Sequence, residues 1–70
     1  MKYPIGTTYT PRRKNTYTAT VVDYHTTTNL AGEIIRTRYV TQHLFCGQLV
    51  TDYDVSETTI ARGNPQPPIA

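Results

Sequence analysis

Two runs of β-branched and aromatic residues follow one another between Thr37 and Asp54, in the segment TRYVTQHLFCGQLVTDYD. They meet at Cys46-Gly47, and the gap between them is too short to hold a helix. Such residues fit the pleated, half-buried surface of a sheet better than the crowded surface of a helix. The pattern therefore predicts a β-hairpin that turns at Cys46-Gly47.

The strand before this turn begins at Glu33 and alternates in its first half. One face carries apolar and threonine side chains and the other carries cations, as Ile35, Thr37 and Tyr39 alternate with Arg36 and Arg38. From Val40 to Phe45 both faces become apolar. A bulge or sharp bend near Gln42 would explain this change, because it redirects the side chains that follow.

Three further segments complete the predicted sheet. Thr7 to Thr10 reads as a short edge strand, and Thr16 to Thr28 has almost no helix formers and is long enough for a bent strand of about ten residues. Asn29 to Gly32 supplies turn residues, with Gly32 expected at a positive φ. Val55 to Ala61 is predicted as a last short strand that stops at Gly63.

These segments predict an all-β protein, a small five-stranded antiparallel barrel of the SH3-like type, with an OB-like barrel or an open meander as alternatives. Residues 1–63 would form this single domain. Residues 64–70, NPQPPIA, contain three prolines. Proline lacks the N–H that a sheet requires, so we expect a disordered or extended Pro-rich tail that does not pair.

The chain has 70 residues, with fourteen threonines, six tyrosines and no tryptophan. A chain of this size buries only about 60% of its unfolded surface, so its stability is marginal and a deep catalytic cleft is not expected. The predicted core is a short list of apolar residues: Ile5, Val21, Val22, Ile34, Ile35, Tyr39, Val40, Leu44, Phe45, Leu49, Val50, Val55 and Ile60. Self-association is a second way to bury apolar area.

Cysteine use and hydropathy indicate the compartment. A single cysteine, Cys46, excludes an internal disulfide and a multi-cysteine zinc site, which favours a reducing environment. There is no run of about 18 apolar residues and no secretory pattern at the start, so we expect a cytoplasmic protein with no membrane partner. The net charge of +2 is too small to indicate a nucleic-acid partner by itself.

The strongest local charge is a basic triplet between two tyrosines: Tyr9, Arg12, Arg13, Lys14 and Tyr17. Cations of this kind bind phosphates while aromatic rings stack on unpaired bases. Exposed tyrosine and arginine also anchor protein interfaces. The alternative is a solvated loop. Arg36 and Arg38 project from one strand face and would extend the same surface.

Three acidic residues lie close together at Asp52, Asp54 and Glu57. Two carboxylates on the same side of a strand end could bind Ca²⁺ or Mg²⁺, but the segment lacks the glycine-bearing loop of a dedicated site. An acidic turn or an acidic contact surface for a basic partner is the preferred interpretation. No metal and no cofactor is predicted.

His25 and His43 are expected on neighbouring strands, where they could approach one another. Two histidines do not fill a tetrahedral zinc site, and Cys46 follows His43 too closely to be assigned to the same ion. A nucleophilic pair of Cys46 and His43 would need an orienting third group, which the sequence does not identify. The sequence therefore predicts no catalytic residue and no enzyme activity.

Three blocks, TTYTPR, TRYV and GQLVTDYDVSETTIARG, resemble small uncharacterised proteins carried by bacteriophages and prophages, over Tyr3 to Gly63. No motif in that group fixes an activity. The resemblance implies a setting in which short accessory proteins bind and block a host protein or a defence complex.

The sequence as a whole predicts a non-enzymatic binding protein, an adaptor or inhibitor that engages a host protein. Its predicted contact residues are Tyr9, Arg12, Arg13, Lys14, Tyr17, Arg36 and Arg38. The first alternative is a nucleic-acid-binding barrel that uses the same cations. The second is a structural or assembly part of a virion, in which strand edges pair between subunits.

Overall fold

The computed structural model describes residues 3–11 and 17–68. This part of the chain is mostly β, as predicted, and forms one open sheet with the antiparallel strand order β1-β2-β3-β4. Its elements in chain order are β1 (Thr8–Tyr9), β2 (Ala19–Thr28), β3 (Ile34–Phe45), β4 (Gln48–Val55) and the helix α1 (Glu57–Arg62).

Both predicted turns are confirmed, and each depends on residues that tolerate a positive φ. Cys46 and Gly47 join β3 to β4 with φ values of 52° and 77°. A two-residue turn of this handedness matches the twist of the paired strands. Between β2 and β3, Gly32 has a φ of 84°. There the Asn29 side-chain oxygen accepts hydrogen bonds from the backbone N–H groups of Ala31 and Glu33, at 2.9 and 3.0 Å.

Two of the three irregularities of the described sheet lie within three residues of the bend predicted near Gln42, but in the strands that flank β3. On one side, the extra residue Val22 interrupts the pairing of β2 with β3. On the other side, Asp52 to Val55 in β4 spans the same distance as Tyr39 to Thr41 in β3. The third is farther away, in β3 itself, where the extra residue Ile35 lies between Arg36, which pairs with Thr27, and Ile34, which pairs with Thr28. Each extra residue changes the direction of the side chains that follow it.

The prediction of a last strand over Val55 to Ala61 is wrong, because Val55 ends β4 and the residues from Glu57 to Ala61 lie in helix α1. Ser56 is the N-cap in an extended conformation, and its Oγ accepts a hydrogen bond from the Thr59 N–H at 3.2 Å. An acidic Glu57 in the first turn and a basic Arg62 in the last turn suit the helix dipole. The described chain therefore has four strands, one fewer than predicted.

The buried core is smaller than the sequence suggests. Its apolar members, each at most 3% exposed, are Tyr9, Ala19, Val21, Tyr39 and Ile60. Six residues that the sequence assigns to the core are more than half exposed: Ile5, Ile34, Ile35, Leu44, Phe45 and Leu49. Five of these six lie towards the ends of β3 or next to the turn into β4, where no further strand or helix of the described residues covers them.

The proline-containing tail pairs with β1, so the prediction that it cannot pair is wrong. The Thr8 N–H donates to the Gln66 carbonyl at 3.1 Å, and the Gln66 N–H donates to the Thr8 carbonyl at 2.8 Å. Gln66 stands between Pro65 and Pro67 and is the residue there that still has an N–H to offer. The Thr10 N–H also donates to the Gly63 carbonyl, at 2.9 Å.

The molecule is elongated, with extents of 44 × 23 × 23 Å. Both hairpins extend beyond the core, one at each end of β3. The first, which we call the arm, comprises residues 23–36, and all of these are exposed. The second, which we call the tip, comprises residues 44–49 around the Cys46-Gly47 turn. The strand lengths thus leave two separate ends of the sheet exposed.

Candidate partner-binding surface

A stacked pair of rings marks the side of the sheet next to the tip. The rings of Tyr17 and His43 are nearly parallel, with centroids 3.8 Å apart and planes inclined by 8°. His43 is 7% exposed, and its Nδ1 lies 3.8 Å from Asp52 Oδ2. The stack holds Tyr17, which precedes β2, against the start of the sheet.

Next to this stack is an open groove of about 530 Å³. Its lining residues are Tyr17, Thr18, Thr20, Val22, Gln42, His43, Leu44 and Leu49. Leu44 and Leu49 are directly opposite one another across β3 and β4, and they are 66% and 60% exposed. Leu44 alternates along β3 with the buried His43, so the leucine pair lies on the sheet face away from the core. Phe45, 54% exposed, follows Leu44 and lies on the opposite face of the strand.

Tyr17 also borders a second depression, of about 440 Å³, whose character is different. It is lined by Tyr9, Pro11, Tyr17, Asp52, Tyr53, Asp54, Val55 and Thr59. Two carboxylates face this depression, whereas leucines line the groove. Tyr17 therefore lies between the apolar groove and the acidic depression.

Two of the predicted contact residues, Tyr9 and Tyr17, take different places. Tyr17 is half-buried and packs against the edge of the core. Tyr9 is 3% exposed, and its hydroxyl donates to Thr41 Oγ1 at 3.2 Å, so its ring belongs to the core and cannot anchor a partner. The cause is the pairing of β1 with β2, which turns Tyr9 inward beside Ala19.

The predicted cations are only partly described. Arg36 and Arg38 alternate along β3 opposite Thr27 and His25, so they share a face as the sequence indicates. Arg36 is exposed on the arm, whereas Arg38 Nε lies 3.3 Å from Asp54 Oδ1. A partly exposed ion pair of this kind contributes roughly 0.2–1 kcal/mol. Arg12, Arg13 and Lys14 lie outside the described residues.

The histidines and carboxylates are dispersed. His25, on β2, pairs with Arg38 of β3, whereas His43 is on β3 itself and pairs with Val50. Arg38 and His43 are five positions apart, which is about 16 Å along a strand. The expectation that the two histidines approach one another is wrong. Asp52 lies by His43, whereas Asp54 lies by Arg38. The two carboxylates have different neighbours because the irregularity in β4 falls between Asp52 and Val55. No three metal-binding side chains of the described ranges are grouped to hold an ion.

Burial raises the pKa of the Tyr9 hydroxyl above its ordinary value of 10.0. The hydrogen bond to Thr41 acts in the opposite direction, and the negative charges of Asp52 and of ionised Tyr17 raise the pKa further. Burial and the Asp52 charge also raise the pKa of Tyr17. A folded-state pKa above the unfolded value means that the folded protein holds the proton more tightly.

The stability of the protein is therefore expected to decrease at alkaline pH. The contribution of neutral Tyr9 is fully present below pH 10.0 and is lost as the pH rises through the raised folded-state pKa. Urea unfolding at a series of pH values, with tyrosinate absorbance recorded in parallel, measures this. Tyr9→Phe is the control, because it has no proton to lose. An identical alkaline decline in both proteins would contradict the assignment.

Comparisons with protein-family models, with curated proteins and with solved structures found no match for this chain. The resemblance to phage and prophage proteins therefore stays a prediction. Among the residues that the structure covers, no helix has the length and apolar character needed to cross a membrane.

Sequence reasoning missed the leucine pair, because it assigned Leu44 and Leu49 to the core. The signal that could have identified them is their position beside the Cys46-Gly47 turn. A strand end next to a two-residue turn pairs with its hairpin partner on one side. On its other side it has a neighbour only if the adjacent strand is equally long. Here the pairing of β2 with β3 reaches only to Gln42.

Proposed function

We propose that this chain is a non-enzymatic accessory protein of a bacteriophage or prophage, which binds a host protein in the cytoplasm as an adaptor or inhibitor. The observation that carries this proposal is the exposed leucine pair, Leu44 and Leu49, next to the Tyr17–His43 stack. Exposed apolar patches mark sites of protein interaction, and tyrosine is one of the residues that contribute most to binding at such sites.

The groove also indicates what kind of partner segment would bind. Its apolar floor favours an aliphatic or aromatic side chain, and the polar Thr20 and Gln42 can hydrogen-bond to a partner backbone. We therefore expect the partner segment to present an apolar side chain to the groove.

Nucleic acid is the less favoured partner. Arg38, one of the cations required by that alternative, lies against Asp54. An arginine near a carboxylate contributes less to phosphate binding, because part of its field is cancelled. The leucine pair would also gain little from contact with a phosphate backbone.

The test uses two variants matched in chemistry and exposure. Leu44→Ser/Leu49→Ser removes the apolar groove, whereas Ile34→Ser/Ile35→Ser removes two aliphatic side chains, each 62% exposed, from the arm. The tagged proteins are used to capture partners from a bacterial lysate, with and without nuclease, at low and moderate salt, and bound proteins are identified by mass spectrometry.

A host protein that binds the wild type and the arm variant, but binds the groove variant at least about tenfold less, supports the proposal. It must also survive nuclease and moderate salt, since phosphate contacts weaken steeply with ionic strength. Equal capture by both variants would remove the groove from the proposal. Capture that nuclease abolishes would replace the protein partner with nucleic acid.

A further inference from the structure

The outer edge of β2 is open over most of its length. β1 pairs with only Ala19 and Thr20. Gly6 and Thr7 extend this contact by one residue, with hydrogen bonds of 2.8 Å to the carbonyl and the N–H of Val21. From Asp23 to Thr28, nothing in the described ranges 3–11 and 17–68 pairs with the outer side of the strand. Six consecutive residues thus present an edge that could pair with another strand.

The other two open edges carry like charges, whereas this one does not. The arm part of β3 extends beyond β4 with Arg36 and Arg38, and the outer edge of β4 carries Asp52 and Asp54. Paired charges of one sign oppose edge-to-edge association. The β2 edge reads DYHTTT, with a single carboxylate at its base. Threonine and tyrosine are the residues whose cross-strand pairs stabilise a sheet.

We propose that the partner of this edge is a second copy of this chain. Two β2 edges pair antiparallel around a two-fold axis that passes between the two copies of Thr26. This register sets Tyr24 opposite Thr28 of the partner, and His25 opposite Thr27 of the partner. No two like charges face one another in it, and the two arms join into one continuous sheet.

The same register pairs exposed apolar side chains beyond the strands. It sets Leu30 of one copy opposite the Val22 position of the other, next to Val21, whose outer side Gly6 already occupies. Leu30 is fully exposed, and Ile5, adjacent to Gly6, is 53% exposed. Because the axis is two-fold, this Leu30–Ile5 contact occurs twice. The dimer therefore gains apolar contacts at both ends of the paired edge.

Dimerisation is separate from the proposed binding of a host protein, since the leucine groove lies at the opposite end of β3.

The test is the mass of the full chain over a concentration series, measured by sedimentation equilibrium. The wild type should approach twice 7.9 kDa. Thr26→Lys sets two ammonium groups beside the axis and should weaken dimerisation at least about tenfold. Thr58→Lys makes the same change of charge on the exposed side of α1 and should leave the dimer intact.

Hydrogen exchange of the wild type locates the interface without a variant, which matters if Thr26→Lys fails to fold. Amides of residues 23–28 should become more protected as concentration rises, while those of β4 should not. A mass of 7.9 kDa at every concentration would overturn the proposal. So would concentration-dependent protection of β4 instead, or a Thr26→Lys protein that is folded and still dimeric.

Discussion

Tyr39→Ala is expected to remove about half of the free energy of unfolding of the protein. Tyr39 lies on β3, and its side chain is fully buried in the small core. Removing a buried aromatic ring costs about 3–5 kcal/mol, because the transfer energy is lost and a cavity remains. The total stability of a 70-residue domain is roughly 4–10 kcal/mol. One substitution thus removes a large part of it.

Tyr39 also connects the N-terminal segment to the sheet. Its hydroxyl accepts a hydrogen bond from the Tyr3 N–H at 3.2 Å, and the Tyr3 ring approaches it edge-on with centroids 5.9 Å apart. Tyr39→Phe keeps the ring and removes the hydroxyl, so we expect a smaller loss of about 1 kcal/mol. The ring itself should therefore account for most of the alanine effect.

Urea unfolding of the three proteins measures these differences. The matched control is Tyr53→Ala, since Tyr53 is on the neighbouring strand but is 70% exposed. A surface change of this kind typically costs less than about 0.5 kcal/mol. Equal losses for Tyr39→Ala and Tyr53→Ala would mean that Tyr39 is not the centre of the core.

Ending the chain at Gly63 is expected to cost about 2–3 kcal/mol, at roughly 1 kcal/mol for each lost hydrogen bond with some lost packing. The truncation removes both backbone hydrogen bonds between Thr8 and Gln66. It also removes Pro68, whose Cβ lies so close to Gly6 that a side chain there would be only 2.8 Å away. β1, two residues long, would lose the partner on its outer side.

Two substitutions separate the backbone from the side chain. Gln66→Pro removes the N–H that donates to Thr8, and we expect a loss of about 1–2 kcal/mol. Gln66→Ala keeps that N–H and should change the stability little, because the side chain is exposed. Thermal and urea unfolding measure both. If the truncated chain were as stable as the full chain, the pairing of the tail would contribute nothing to the fold.

The candidate site was only partly predictable from the sequence. Tyr17 was identified as a surface aromatic, but its stacking on His43 depends on where β2 begins relative to β3. Tyr9 has the same residue type and a similar setting in the sequence, yet strand pairing buries it. No local pattern separates the two tyrosines, because their exposure depends on residues distant in the chain.

Elements that depend on neighbouring residues could be predicted from the sequence. The hairpin at Cys46-Gly47 and the turn at Gly32 follow from residues that tolerate a positive φ between strand-forming runs. Features that depend on residues distant in the chain could not be predicted in this way. Ile60, buried against the sheet, favours helix α1 over the strand that its β-branched neighbours predict, while Ser56 caps the helix. Pairing with Thr8 similarly fixes Gln66 between its prolines. The unequal lengths of the strands leave Leu44 and Leu49 exposed, because an apolar side chain is buried only where another element is long enough to cover it.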